Sequence, residues 1–191
     1  LCWTRSFFAR LCLRALCNER NMRYIFSILF LFITAVSLAK EQCDPHSLDL
    51  DKESSEMEKY FYIGTCHYRN KDYSLSVNNW EELASLQPEK PEDEELKVDV
   101  LNNLGFMKFF GFGTEKDQGT AISYWQEAIR LGHYEAEYHL CHAYADREEP
   151  TFNIAKARKH CEKARLIYKG KEDSDPEILS GIESYLKDIG V

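Results

Sequence analysis

Residues 104–140, LGFMKFFGFGTEKDQGTAISYWQEAIRLGHYEAEYHL, hold the clearest evidence for the fold of this 191-residue chain. Shifting the sequence by 36 positions aligns Leu104 with Leu140 and Gly105 with Cys141. The other matches at this shift are Ala121 with Ala157, Trp125 with Cys161, and Ala128 with Ala164. A looser copy lies upstream, at Tyr60, Ile63-Gly64, Trp80 and Pro88. A fixed period of about 20–50 residues indicates a repeat protein.

Within the repeats, the apolar residues follow the period of a helix. In 121–132 they recur about every 3.6 residues, and Gly132 is suited to a helix C-cap. Segment 96–110 also predicts a helix, because Pro91 and the four acidic residues that follow it favour a helix N-terminus. Segment 175–189 predicts a last helix with a single apolar stripe and Asp175 as its N-cap. A terminal helix with a polar outer face is what a short repeat array needs as a cap.

The quoted stretch resembles the Sel1-like repeat, a relative of the tetratricopeptide repeat. The matching positions are Leu104-Gly105, Gly111, Gly113, Asp117, Ala121, Trp125, Ala128, Gly132 and Ala136, and the departures are Lys108, Thr114 and Ile129. The resemblance implies an all-α fold, a short right-handed α-α superhelix of the tetratricopeptide type. The expected segments are a linker at 40–56, a tetratricopeptide-like repeat at 57–90, Sel1-like repeats at 98–133 and 134–170, and a capping helix at 171–191.

The glycines at 111 and 113 raise the question of a phosphate-binding loop. Such a loop needs a strand before the glycines and a Lys-Ser/Thr pair after them, and the sequence has neither. We therefore interpret both glycines as structural, in the loop between the two helices of a repeat, where backbone angles unfavourable to other residues are needed.

The N-terminus has the pattern of a targeting segment. In 22–39, Arg23 precedes a twelve-residue apolar run, and small residues at Ser37 and Ala39 predict a signal peptide cleaved after Ala39. The alternative is an uncleaved anchor, although the run is shorter than the roughly 20 residues that span a bilayer. We expect residues 1–21 to be an upstream segment outside the fold; the alternative is a longer basic region of the signal.

Charge and cysteine content agree with export and limit the partners. Five of the 24 basic and one of the 32 acidic residues lie in 1–39, so the rest carries 19 basic and 31 acidic residues, a net charge of −12. A chain segment this acidic repels nucleic-acid phosphates, and we expect no nucleic-acid partner.

Four of the seven cysteines lie beyond the leader, an even number that predicts disulfides in an exported chain. From the repeat register we predict the pairs Cys43–Cys66 and Cys141–Cys161.

No catalytic motif is present: the sequence lacks a nucleophile elbow, Ser-x-x-Lys and His-Glu-x-x-His. The closest approach to a zinc site is the group His139, Cys141, His142, His160 and Cys161. Adjacent helical residues diverge by about 100°, so Cys141 and His142 do not easily face one ion. Ordinary histidines and a disulfide are the favoured interpretation. We predict no metal, no cofactor and no enzymatic activity.

A partner-binding groove is the favoured functional hypothesis. In the family resembled here, the first helix of each repeat lines the concave side. By register, the residues expected to face it are Phe61, Thr65, Tyr68, Arg69, Asn102, Phe106, Phe109, Phe110, Tyr138 and His142. Exposed aromatic residues on such a face predict a protein or peptide groove. The alternative for Phe106 and Phe109 is packing against neighbouring helices.

The sequence therefore predicts an exported, periplasmic or secreted scaffold that binds a protein or peptide and has no membrane contact after signal cleavage. The alternative is a penicillin-binding or β-lactamase-like enzyme. Only the family resemblance supports it, because some exported, cysteine-rich members have been described in those terms.

Overall fold

Residues 40–191 are described by the structure, a computed structural model, and Gln42–Val191 form one compact unit. The predicted upstream segment and signal peptide lie outside the described residues.

Seven helices and no strand make up the secondary structure of residues 40–191. The helices are α1 (Glu56–Arg69), α2 (Tyr73–Ser85), α3 (Pro91–Phe110), α4 (Gln118–Arg130), α5 (Ala136–Ala145), α6 (Ile154–Gly170) and α7 (Pro176–Asp188). Successive helices pack as the pairs α1–α2, α3–α4 and α5–α6, and α7 covers the last pair. The described chain is thus all-α, with the stacked helix pairs of an α-solenoid.

Each helix pair has a point of close approach that its sequence dictates. A Cβ atom on Gly64 would lie 2.7 Å from the Trp80 ring, and one on Gly105 would lie 2.4 Å from Trp125. In the third pair, Cys141 and Cys161 occupy the equivalent positions and form a disulfide. The first two pairs therefore approach through a glycine, and the third is joined by a covalent bond that we name the third-pair disulfide.

A second disulfide, named the N-terminal disulfide, joins Cys43 to Cys66. It fastens the segment before α1 to the buried side of that helix, and the Asn70 amide donates a hydrogen bond to Cys43 Sγ at 3.1 Å. The structure therefore contains the two pairings expected from the repeat register.

The loop between α3 and α4 requires glycine at two positions. Gly111 and Gly113 have φ angles of +76° and +69°, in the left-handed region that disfavours other residues. A Cβ on Gly113 would also lie 2.3 Å from the backbone of Tyr73, so the loop can pack onto the start of α2 only without a side chain there. The structural role predicted for these glycines is confirmed.

Helix α3 begins at Pro91, five residues earlier than the sequence pattern predicted. Pro91 occupies the first turn, and three of the four acidic residues expected to precede the helix, Glu92, Asp93 and Glu94, lie within that turn. One of them, Asp93, is buried and accepts a hydrogen bond from the hydroxyl of Ser55, the N-cap of α1, at 2.8 Å. The additional helical turn therefore connects the starts of α1 and α3.

Both hydrophobic clusters of the core include residues of α3. Val100, Leu104 and Met107 pack with residues of α1 and α2, whereas Leu101 and Phe109 pack with residues of α4 to α7. Helix α3 is therefore apolar on two sides and is shared between the first helix pair and the rest of the array.

A buried carboxylate with two basic partners lies beside the third-pair disulfide. Glu137 of α5 is 2% exposed, and its carboxylate contacts His160 Nδ1 at 2.7 Å and Lys163 Nζ at 2.5 Å on α6. Burial opposes ionisation, but the hydrogen bonds from His160 and Lys163 outweigh it and lower the pKa of Glu137. The charge therefore stays on the carboxylate and ties α5 to α6.

Candidate functional site

A continuous row of aromatic rings runs from the first helix pair to α7. We name it the aromatic surface; its members are Tyr68, Tyr73, Phe106, Phe110, Phe112, His142 and Tyr185. Neighbouring ring centroids lie 4.9 to 6.0 Å apart, within the range of favourable aromatic contacts. Residues from three helix pairs and the last helix thus contribute to one surface.

Three of these rings are substantially exposed to solvent. The exposed fractions are 39% for Tyr68, 39% for Phe110 and 41% for Phe112. Phe112 is held between the two glycines with positive φ angles, on a loop whose backbone is already packed against α2. Contiguous exposed aromatic area is characteristic of an interaction surface.

A cavity of about 190 Å³ opens beside the Tyr68 end of the row. Its lining residues are Phe61, Thr65, Tyr68, Trp80, Asn103, Phe106 and Met107. The Thr65 hydroxyl donates to the Phe61 carbonyl oxygen at 2.8 Å, so this polar group is already satisfied within α1. Other polar groups of the wall include the Asn103 amide and the Trp80 indole N–H, which is buried and has no hydrogen-bond partner among the described residues. The cavity is otherwise mostly apolar and has the size of a single side chain.

Phe109 and Asn102 do not lie in the predicted groove. Phe109 is fully buried and packs on Trp125 with ring centroids 5.3 Å apart, and Asn102 is only 5% exposed. The backbone carbonyl of Asn102 accepts a hydrogen bond from Trp125 Nε1 at 3.1 Å. Asn102 precedes Gly105 by three residues and Phe109 follows it by four, so all three lie on the same face of α3. That face packs on α4. Placing them in the groove was therefore wrong.

The other predicted groove residues remain at least partly accessible. Phe61 and Phe106 are half-buried in the cavity wall, and Arg69 is exposed at the end of α1. Tyr138 is half-buried on α5, with its ring 6.4 Å from that of Tyr168. His142 is half-buried between Phe110 and Tyr185, where burial lowers its pKa although Asp146 and Glu149 oppose the shift.

His139 lies beneath the aromatic surface rather than in it. Its imidazole stacks on the Trp125 ring, with a centroid distance of 5.1 Å and an angle of 14° between the planes. Burial, with smaller contributions from His142 and His133, lowers the pKa of His139 to about 4. The ring is therefore neutral at ordinary pH and serves as a packing group.

The sequence patterns did not identify Tyr73, Phe112 or Tyr185 as members of the surface. Tyr73 begins α2, and only the first helix of each repeat was expected to line the groove. Phe112 stands between two glycines, and an aromatic residue in such a short loop has no helix face on which to become buried. Tyr185 belongs to the apolar stripe predicted for α7, and that pattern does not distinguish the edge of a stripe from its centre.

A larger, open cleft of about 900 Å³ lies where the start of α3 meets the loop between α4 and α5. Three of its basic groups are already occupied by neighbouring atoms. Lys97 donates to the Leu86 carbonyl oxygen, Arg130 binds Glu127, and His133 Nε2 lies 3.5 Å from Asp99. This cleft lacks the contiguous aromatic area of the aromatic surface.

The residues considered as zinc ligands make other contacts in the structure. Cys141 and Cys161 are bonded to each other and His139 is stacked on a ring. Across the described residues, no group of three or more His, Cys, Asp or Glu residues is arranged to hold a metal ion.

None of the helices between residues 40 and 191 combines the length and the apolar character needed to cross a bilayer.

In a comparison with known protein families, residues 98–133 and 135–165 match the Sel1 repeat. These two segments correspond to the pairs α3–α4 and α5–α6. No curated protein and no solved structure matches the chain. The Sel1 repeats indicate a scaffold for protein–protein interaction.

Proposed function

We propose that this helical repeat protein, in which α3–α4 and α5–α6 match the Sel1 repeat, is a non-catalytic scaffold that binds a protein or peptide segment on the aromatic surface. The observation that carries the proposal is the exposure of Tyr68, Phe110 and Phe112 within one continuous row of rings. Aromatic residues are enriched at protein interfaces, where their burial provides much of the binding energy.

The cavity beside Tyr68 favours a polypeptide over a small-molecule ligand. Pockets for drug-sized ligands generally measure about 300–1,000 Å³ and enclose most of the ligand. The cavity of about 190 Å³ is smaller and joins a surface that extends across three helix pairs. An extended segment that inserts one side chain and lies across the remaining rings fits this shape.

We propose that the protein works outside the cytoplasm, after removal of the signal peptide predicted at 22–39. The two disulfides support this location, because such bonds form and persist in oxidising compartments. The partner is then an exported protein or a segment exposed on that side of the membrane.

The experiment compares variants in a pull-down from the compartment of the native host that contains the protein. Phe110→Ser and Phe112→Ser should release the captured partner, with an affinity loss of at least about 30-fold, equivalent to about 2 kcal/mol at an interface hot spot. Their melting temperatures should change little, because both rings are exposed in the free protein.

Two control variants separate binding from folding. Leu166→Ser removes an exposed apolar side chain of α6, 71% exposed and outside the aromatic surface, and should retain the partner. Phe109→Ala should instead reduce the free energy of unfolding by about 3–5 kcal/mol, as for other buried phenylalanines. If the double variant Phe110→Ser, Phe112→Ser retains the partner, the proposed surface is refuted. Hydrolysis of nitrocefin by the purified protein would refute the non-catalytic role.

A further inference from the structure

The two ends of the aromatic surface differ in chemistry. At the Tyr68 end, the cavity walls include the rings of Phe61, Trp80 and Phe106 and the side chain of Met107. This end can take an apolar side chain of the partner.

The opposite end is acidic. Asp146 follows His142 by one helical turn, and Asp188 follows Tyr185 by three residues. Burial, together with Tyr138 and these two aspartates, raises the pKa of Tyr185 to about 12. Asp146 and Asp188 thus lie at the same end of the surface as the paired His142 and Tyr185 rings, and an aromatic face beside carboxylates attracts a cation.

Three basic side chains near the surface are already engaged. Lys108 pairs with Glu81 at 2.7 Å, and Lys116 pairs with Glu149 at 3.0 Å. Arg147 donates to the backbone carbonyl of Asp188 and lies over the Phe152 ring. Within residues 40–191, neither Asp146 nor Asp188 forms a salt bridge through its carboxylate.

We infer that the partner segment is basic: it places an apolar side chain in the cavity and a lysine or arginine over Tyr185, beside Asp146 and Asp188. This inference rests on the proposed function and specifies the chemistry of the partner. The net charge of −12 over residues 40–191 acts in the same direction, because it attracts basic segments and repels acidic ones.

The length of the surface sets the spacing of the two anchors. From the cavity wall, the ring centroids are separated by 4.9 Å from Phe106 to Phe110, 5.8 Å from Phe110 to His142 and 5.6 Å from His142 to Tyr185. An extended chain advances about 3.3 Å per residue. Because these steps add up to the longest span that the row allows, the apolar anchor and the basic residue should lie at most about five residues apart.

The test is selection of phage-displayed random dodecapeptides on the full-length, disulfide-bonded protein, followed by fluorescence anisotropy with the selected peptides. We expect peptides of net positive charge, with an apolar residue at most about five positions from Lys or Arg. The double variant Asp146→Asn, Asp188→Asn should weaken binding about tenfold. Asp173→Asn, which removes an exposed carboxylate from the loop before α7, should change it less than about twofold.

The possible results distinguish this inference from the proposed function. Neutral or acidic peptides that require Phe110 and Phe112 would overturn the inference and leave the peptide-binding surface standing. Basic peptides that respond equally to the double variant and to Asp173→Asn would also overturn it, because general attraction would then explain the preference. Failure to enrich any peptide above the level for Phe110→Ser, Phe112→Ser protein would overturn both.

Discussion

Acidification should destabilise this protein through His139. Stacking on Trp125 and burial keep the imidazole neutral and lower its pKa from 6.5 to about 4 in the folded state. The unfolded chain binds a proton at this residue below about pH 6.5. The stability contributed by the neutral ring is therefore fully present above that pH and is lost as the pH falls from about 6.5 to about 4.

The magnitude follows from the difference in pKa. One pKa unit corresponds to about 1.4 kcal/mol, so the complete effect is about 3.4 kcal/mol. Of this, about 2 kcal/mol should be lost between pH 7.5 and pH 5.0. These figures are upper limits, because the ring keeps some contact with solvent.

Urea unfolding at both pH values, followed by circular dichroism, measures the effect. The carboxylates with lowered pKa also lose stabilising interactions in acid, so the comparison is with His139→Phe, which retains a stacking ring and has no titratable group. The wild-type protein should lose about 2 kcal/mol more than this variant. Equal losses in the two proteins, or an NMR titration of His139 with a midpoint near pH 6.5, would refute the reasoning.

Three further predictions concern packing, the disulfides and processing. Gly105→Ala should lower the free energy of unfolding in urea titrations by about 1–3 kcal/mol, because the added methyl group overlaps the buried Trp125 ring. The control Gly119→Ala should be nearly neutral, because its methyl group would lie 3.5 Å from the nearest side-chain atom, Asp117 Oδ1. When the protein is reduced with dithiothreitol and alkylated at successive times, mass spectrometry should show that the N-terminal disulfide opens before the third-pair disulfide. The reason is that Cys43 is partly exposed, whereas Cys141 and Cys161 are both buried; the opposite order would contradict this. N-terminal sequencing of the protein from its native host should begin at Lys40, and an intact leader would disprove cleavage.

The helix pairs could be predicted from the sequence because their determinants are local and repeated. Gly105 and Trp125 are in contact in the structure, and their counterparts Cys141 and Cys161, at the same spacing, form a disulfide. Such positions determine which faces approach, and a periodic sequence displays them directly.

The exposed residues of the candidate site were harder to predict. Phe109 and Phe110 are chemically identical and adjacent, and a rotation of about 100° places one in the core and the other at the surface. The register of α3 against α4 decides between them, and this register depends on tertiary packing. Phe112 was missed for a related reason, because its exposure depends on how the Gly111–Gly113 loop packs onto α2.

The sharing of α3 between both core clusters affects how the array unfolds. Solenoids can lose terminal repeats independently when each repeat interacts weakly with its neighbours. Here, removal of the first helix pair would expose Val100, Leu104 and Met107 on a helix that still holds Phe109 in the other cluster. The cost of that exposed surface couples the two clusters, so the transition should be cooperative and close to two-state. The aromatic surface draws Tyr68 and Tyr73 from the first pair and Tyr185 from the last helix, so binding competence should be lost in the same single step.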